Sequence, residues 1–271
     1  MKTIAFGPLR KKIVGSWRWF GQDLAQELSK YYKIVFATVD KIPKCDLIFV
    51  VKLPQFLKQA VATKIPVIYV TIDVFHSKKD INNLEPLLNK CTVINQCHFL
   101  CDLIPKSSFI PHHIKYITDS EFKTEGSILW VGGSQYKKTV QRFIQKVNLE
   151  IEIDYLCGKE WSPENQLAAQ ETAKAAIDIK GDIFWQRMKP ATKIVDFLAS
   201  GLPVAANENC SAVDYFYNAY NFRIPDPTDY FYWFSHHYYD LIQELKPRIR
   251  HDFSLNQIGL QYKRLIDNLL N

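Results

Sequence analysis

Short apolar runs rich in Val and Ile alternate with helical patterns along the chain. In its first part, residues 3–9 have the pattern of a strand, residues 22–32 that of a helix, and residues 33–39 that of a strand again. Further strands are predicted at 46–51, 66–72, 92–95 and 109–110, and further helices at 55–62, 81–89 and 99–103. This alternation is typical of a parallel sheet that is covered by helices.

The pattern breaks at residues 115–126, a polar stretch with the composition of a linker. A second series then begins, with strands predicted at 127–131, 151–156, 175–179 and 203–206 and helices at 137–146, 163–174 and 191–200. We therefore predict two doubly wound α/β domains with parallel sheets, residues 1–116 and 127–271, which face each other across a cleft. Ligands bind to such folds at the carboxyl ends of the strands.

The composition allows two cores, since 47% of the 271 residues are hydrophobic. No run approaches the ~20 apolar residues that a membrane-spanning helix needs, and we expect neither such a helix nor a signal peptide. Six cysteines occur without a repeated spacing, which favours reduced thiols and a cytoplasmic location. We expect no metal site, because Cys91, Cys97, His98 and Cys101 match no structural zinc pattern.

The net charge of +6 is concentrated near the start of the chain. Residues 1–60 hold eleven Lys and Arg against four acidic residues, an excess of seven cations. Such a region can attract phosphate-bearing substrates or make a peripheral contact with an anionic membrane, or it can be a solvated basic face. Nucleic acid is the least favoured partner, because none of the usual binding motifs is present.

The most specific motif lies in residues 189–207. Thr192 is the predicted N-cap of a helix, Lys193 and Asp196 share one face of its first turns, and Gly201 can end it before Pro203. A diphosphate would meet the positive end of the helix dipole and Lys193 there, while Asp196 could accept hydrogen bonds from ribose hydroxyls. The alternative is an ordinary surface ion pair.

This motif resembles the Lys-x-x-Glu-x-x-Ala-x-Gly-x-Pro-Val signature of group 1 glycosyltransferases. The matching residues are Lys193, Asp196, Ala199, Gly201, Pro203 and Val204. Weaker similarities occur in the family's order at residues 109–114, 128–138, 225–229 and 253–265. The resemblance implies the GT-B fold and metal-independent, retaining transfer of a sugar from a nucleoside-diphosphate sugar to an acceptor, with a lipid-linked compound or a polysaccharide as candidate acceptors. No cofactor besides the donor is implied.

The resemblance also implies roles for residues of the second domain. Asp196 matches the residue that holds the nucleotide ribose, and Lys138 matches a lysine that neutralises the diphosphate. Lys193 and the Gly132-Gly133 turn are the other candidates for stabilising the leaving diphosphate.

Two positions depart from the family pattern. Gly133 stands where the family has an arginine, and Met188 stands where it has an acid. Arg187 or Lys189 could supply the missing cation. These departures also leave one alternative, a nucleotide-sugar-binding protein without transferase activity. A related GT-B enzyme, such as a nucleotide-sugar epimerase, is a second alternative.

The first domain is expected to hold the acceptor. Gly15 lies between the first strand and the first helix, where a glycine turn could meet the donor. Trp17 and Trp19 could stack on a sugar or pack inside the domain. Asp73 follows a predicted strand and, by the family resemblance, is the best candidate for activating the acceptor hydroxyl, with His76 second. The alternative for both is the capping of the next helix.

Overall fold

The structure is a computed structural model that describes residues 1–9 and 16–271. The chain folds into two units, one formed by residues 1–113 and 255–271 and the other by residues 114–254. Each unit has its own parallel sheet and its own hydrophobic core. The predicted fold class, two doubly wound α/β domains with parallel sheets, is confirmed.

The first unit is built on a six-stranded sheet whose order is β2-β1-β3-β4-β5-β6. Its strands are β1 (Thr3–Gly7), β2 (Lys33–Phe36), β3 (Leu47–Val51), β4 (Val67–Val70), β5 (Thr92–Asn95) and β6 (Ser108–Phe109). Its α-helices are α1 (Leu24–Leu28), α2 (Pro54–Ala62), α3 (Lys78–Leu88), α4 (His98–Leu103) and α12 (Leu255–Leu270). A π-helix, Trp17–Asp23, precedes α1. The central strands β3 and β4 are buried at every residue, which explains their continuous apolar sequences.

The second unit has a four-stranded sheet with the order β10-β9-β7-β8. Its strands are β7 (Ile128–Gly132), β8 (Ile153–Cys157), β9 (Ala175–Asp178) and β10 (Val204–Ala206). Its α-helices are α5 (Lys137–Val147), α6 (Pro163–Thr172), α7 (Phe184–Arg187), α8 (Thr192–Ser200), α9 (Ser211–Tyr220), α10 (Tyr230–Trp233) and α11 (His236–Asp252). Short 3-10 helices occur at Ser134–Tyr136 and Gly158–Glu160. Parallel pairing places the carboxyl ends of β7, β9 and β10 at one edge of this sheet.

Helix α12 packs in the first unit, although the sequence placed residues 255–271 in the second domain. Its buried residues Ile258, Tyr262 and Ile266 join the core of the first unit. The hydroxyl of Tyr32 also donates a 2.6 Å hydrogen bond to Asp267. The helical pattern shows that this helix has an apolar face, but it does not show which sheet the face covers.

Hydrogen bonds join the polar segment 115–120 to α8. The amide of Lys115 donates to the Asp196 carboxyl group at 3.0 Å, and the amide of Thr118 donates to the Ser200 hydroxyl at 3.1 Å. A third bond runs from the amide of Ser120 to the Ser200 carbonyl at 2.8 Å. The start of the predicted linker is therefore part of the second unit.

Two wider features concern the whole described chain. All six cysteines are free thiols. Across residues 1–9 and 16–271, no helix combines the length and the apolar character needed to cross a bilayer.

Candidate functional site

A buried ion pair lies at the carboxyl end of β9. Asp178 is the last residue of this strand and is 1% exposed. The ammonium of Lys180 lies 2.6 and 2.8 Å from its two carboxylate oxygens. Burial by itself raises the pKa of Asp178, but Lys180 and Lys193 outweigh it, so this pKa falls below its ordinary value. Asp178 is therefore held as a carboxylate inside the unit.

Asn207 fixes the backbone that carries this pair. It follows β10, and its side-chain oxygen accepts from the amide of Lys180 at 2.9 Å. The side-chain amide of Asn207 donates to the Lys180 carbonyl at 2.7 Å. Both polar groups of one buried side chain thus tie the end of β9 to the end of β10.

Lys193 brings a second cation to the same carboxylate. It lies in the first turn of α8, and its ammonium is 3.8 Å from Asp178 Oδ1. The Lys193 side chain remains 30% exposed. Burial and the charge of Lys180 lower its pKa to about 8, although Asp178 acts in the opposite direction. We call Asp178, Lys180 and Lys193 the Asp178 cluster.

The capping prediction for α8 was wrong in detail. Ala191 occupies the N-cap position and Thr192 is the first helical residue. The predicted end is confirmed, because Gly201 adopts a left-handed conformation with φ of 81°. The helix therefore begins with Lys193 in its first turn, as the motif predicts.

Gly132, the last residue of β7, lies against the Trp130 ring. A Cβ added at Gly132 would come within 2.3 Å of the Trp130 ring, so a side chain cannot be accommodated without movement. The Lys193 ammonium lies 5.4 Å from the centre of the same indole. Gly133 follows directly, before the 3-10 helix Ser134–Tyr136. The predicted glycine turn and Lys193 therefore share one neighbour, Trp130.

Lys189 extends the positive charge of this edge. Its ammonium lies 4.5 Å from the centre of the Trp185 ring and 6.0 Å from that of Tyr136. The charge of Lys189 also contributes to the lowered pKa of Lys193. Lys180 and Lys193 thus lie beside one carboxylate at the carboxyl edge of the second sheet, and Lys189 lies four residues before Lys193.

Asp196 does not match its predicted role. Its side chain is buried, at 2% exposure, and accepts a hydrogen bond from the backbone amide of Lys115. Burial raises its pKa to about 8, despite the opposing effect of the amides of Lys115 and Tyr116. The carboxyl group therefore holds the segment after residue 113, whereas the sequence motif predicted a contact with ribose.

Two other residues that were predicted for the donor site, Lys138 and Arg187, are exposed. Lys138 lies in the first turn of α5, and Arg187 lies at the end of α7. Gly15 lies outside the described residues.

The first unit carries a separate polar group at the carboxyl ends of its strands. Lys52 follows β3 and Asp73 follows β4, and their side chains approach to 3.7 Å. Both have positive φ angles, 70° and 50°, which are uncommon for residues other than glycine. Such backbone conformations are often found at functional sites. The predicted candidate Asp73 therefore lies beside a cation that the motif search missed.

Two histidines lie at the end of the same sheet. His113 Nε2 is 3.1 Å from Asp23 Oδ2, and the Trp19 indole donates to the His113 carbonyl at 3.2 Å. His112 is buried with no hydrogen-bond partner for Nδ1. Burial and the charge of His113 lower the pKa of His112 to about 3, although the charge of Asp73 acts in the opposite direction. His112 is therefore neutral at physiological pH.

His76, Trp17 and Trp19 are the remaining predicted site residues of the first unit, and each makes contacts that stabilise the fold. The backbone amide of exposed His76 donates to Asp80 at 2.8 Å, next to the capping box that Ser77 and Asp80 form at the start of α3. Trp17 is buried in the core. Trp19 is half-buried, with its indole nitrogen bonded as described.

The main residues that sequence reasoning missed are Asp178 and Lys180. A signal was present, because a carboxylate ends a buried apolar strand and a lysine follows two residues later. The Asp23–His113 contact had no local signal, since 90 residues separate its partners.

No protein-family model and no curated protein matches this sequence. Its fold, however, is similar to solved structures over nearly the whole chain. The glycotransferase of kitacinnamycin is 11% identical, with 100% of this chain and 99% of that chain covered and a TM-score of 0.51. A glycosyltransferase involved in avilamycin A biosynthesis is 9% identical, with 100% and 98% covered and a TM-score of 0.52.

An alpha1,3-fucosyltransferase gives a similar match. It is 11% identical, with 99% of this chain and 90% of that chain covered and a TM-score of 0.53. At this level of identity the comparison shows the fold alone. The similarity to group 1 glycosyltransferases remains a resemblance of the sequence motif. Together with the two parallel sheets, these matches show that the chain has the GT-B fold.

Proposed function

We propose that this protein is a glycosyltransferase that moves a sugar from a nucleoside-diphosphate sugar to a hydroxyl acceptor. The observation that carries the proposal is the position of Lys180 and Lys193 beside Asp178 at the carboxyl edge of the second sheet. This edge is where doubly wound folds bind nucleotides. The similar solved structures, which are glycosyltransferases, support the same choice.

The lysines suit the chemistry of the leaving group. When the anomeric carbon–oxygen bond breaks, its electron pair stays on the diphosphate oxygen. Fixed cations close to that oxygen stabilise the transition state more than the ground state. Lys193 is the best placed, because it is held by Asp178 and yet remains partly exposed. Since ammonium groups can neutralise this charge, the proposed transfer is metal-independent.

Asp73 is the proposed base for the acceptor. The distance of 3.7 Å between Lys52 Nζ and Asp73 Oδ2 is longer than a hydrogen bond. A hydroxyl oxygen can therefore accept from Lys52 while its hydrogen points to Asp73. The proton passes to the carboxylate as the oxygen bonds to the anomeric carbon and the diphosphate leaves. We place His76 second, since it is exposed beside the cap of α3.

The first experiment identifies the donor. Uridine, guanosine, adenosine and thymidine diphosphates and their sugars are compared by thermal shift. A ligand at ~100 times its dissociation constant adds about 2.7 kcal/mol to the free energy of unfolding. The expected result is a clear preference for one base.

The second experiment separates the possible activities on that donor. A transferase releases nucleoside diphosphate faster when an acceptor is added, a binding protein releases none, and an epimerase converts the sugar without an acceptor. The proposal fails if the preferred donor stays intact with every acceptor tried. Retention, which the sequence resemblance implies, is tested by the anomeric proton signal of the product.

A further inference from the structure

Two aromatic rings at the edge of the second sheet support the ammonium of Lys189. Tyr136 comes from the segment after β7, and Trp185 comes from α7, after β9. Their ring centres are 4.9 Å apart with an angle of 54° between the planes. The Lys189 ammonium lies 4.5 and 6.0 Å from the two ring centres. These distances are those of cation–π contacts.

The backbone at Lys189 is also fixed. Its amide donates to the Gln186 carbonyl at 3.2 Å, and its carbonyl accepts from the Ser211 hydroxyl at 2.9 Å. Gln186 is itself buried and accepts a hydrogen bond from the amide of Gly181. A lysine held at its backbone and at its ammonium loses less conformational freedom on binding a ligand than a free one does.

The position of Lys189 places its charge next to the Asp178 cluster. The Ser211 hydroxyl donates to the Lys189 carbonyl, and the thiol of the preceding residue, Cys210, donates to Asp178 Oδ2 at 3.6 Å. The charge of Lys189 also helps to lower the pKa of Lys193, after the larger effects of burial and of Lys180. An anion bound beside Lys193 would relieve this repulsion between like charges. By contrast, Arg187 is exposed at the end of α7.

We propose that Lys189 is the second cation for the diphosphate of the donor and that Tyr136 and Trp185 are positioning residues that hold it over their rings. The inference rests on the proposed function. It gives the aromatic pair a role in ligand binding in addition to packing.

The test measures the binding of inorganic pyrophosphate, UDP and GDP to the full chain by titration calorimetry. Lys189→Met should weaken pyrophosphate and the preferred nucleotide by about tenfold or more, since a hydrogen bond to a charged group is worth at least that. Trp185→Leu should weaken both by about two- to fivefold, and Trp185→Phe should restore most of the loss. Lys189→Gln replaces Lys189→Met if the latter does not fold.

Lys174→Met is the matched control. The Lys174 ammonium lies 4.8 Å from the centre of the Phe234 ring, and this lysine directly precedes β9, at the amino end of the strand. It has the same kind of contact at the other end of the strand, so its loss should leave pyrophosphate binding unchanged.

A double-mutant comparison decides between positioning and direct contact. If Trp185 acts through Lys189, Trp185→Leu should have no further effect in the Lys189→Met protein, within about twofold. A persisting loss, or wild-type affinity in Lys189→Met, would overturn the inference. Absence of binding by the wild-type protein would overturn it together with the proposed function. If Lys189 is needed for diphosphate binding but no sugar is ever transferred, the proposed function fails while the role of Lys189 in binding a diphosphate is kept.

Discussion

The two sheets end in polar groups of different charge. At the carboxyl edge of the second sheet, Lys180 and Lys193 lie beside the single carboxylate of Asp178, with Lys189 near them. In the first unit, Lys52 is matched by Asp73. The first arrangement suits an anion, whereas the second suits a neutral hydroxyl that must donate and accept. Under the proposed function, the first arrangement would serve the leaving group and the second the acceptor.

The largest expected effect is on the stability of the second unit. Asp178→Asn leaves two lysines near each other without their buried counter-charge, and should lower the free energy of unfolding by about 3 to 5 kcal/mol. Urea denaturation measures the change. Arg223→Gln, which removes the exposed Arg223–Asp229 pair, is the control and should cost at most about 1 kcal/mol. Equal costs for the two variants would show that the Asp178 cluster does not hold the unit together.

Removing the exposed cation of the cluster should affect turnover. Lys193→Met should cost about 2.7 to 4 kcal/mol of transition-state stabilisation, because a preorganised cation facing the leaving diphosphate is lost. Steady-state release of nucleoside diphosphate measures this effect, with Lys174→Met as the control. A variant that turns over at the wild-type rate removes Lys193 from the mechanism.

The first unit should respond differently. Asp73→Asn should lower turnover by about a hundredfold or more, the range of general base catalysis, while donor binding stays unchanged. Turnover with saturating donor and acceptor, together with a calorimetric titration of the donor, separates these two effects. If donor affinity falls as much as turnover, Asp73 does not act on the acceptor alone.

A pH-dependent effect on stability is expected at Asp196. Its pKa in the folded protein is about 8, above the ordinary value, so the folded state keeps a proton that the unfolded state loses. The stability that Asp196 contributes is complete below the unfolded pKa and is lost as the pH rises to about 8. The loss is at most about 1.4 kcal/mol per pH unit. Asp196→Asn should flatten this dependence, since the amide oxygen can still accept from Lys115.

Denaturation of the wild-type and Asp196→Asn proteins between pH 5 and pH 8 checks this prediction. Parallel stability curves for the two proteins would contradict it, because they would show that Asp196 does not titrate between the folded and unfolded states.

The order of strands and helices was largely predictable. The short Val- and Ile-rich runs became parallel strands, and the left-handed Gly201 ended α8 where the motif predicts. Such features depend on local spacing, which a sequence displays directly. The placement of α12 was not predictable, because an amphipathic face does not specify which core it joins.

The candidate site was predictable only in part. Lys193 belongs to a recognisable motif, but its partner Asp178 lies in another strand, and Asn207 joins Lys180 from a third segment. Asp196 shows the opposite problem. Its motif position implied a ligand contact, whereas its burial and the amide of Lys115 decide its actual environment. Tertiary contacts of this kind depend on the sheet order, which spacing along the chain does not show.

The most direct test is a crystal structure of the protein with its preferred nucleoside diphosphate. The diphosphate oxygens should lie within hydrogen-bond distance of the Lys193 ammonium, at the carboxyl ends of β7 and β9. A diphosphate bound elsewhere on the chain, with Lys193 still directed only at Asp178, would contradict the account.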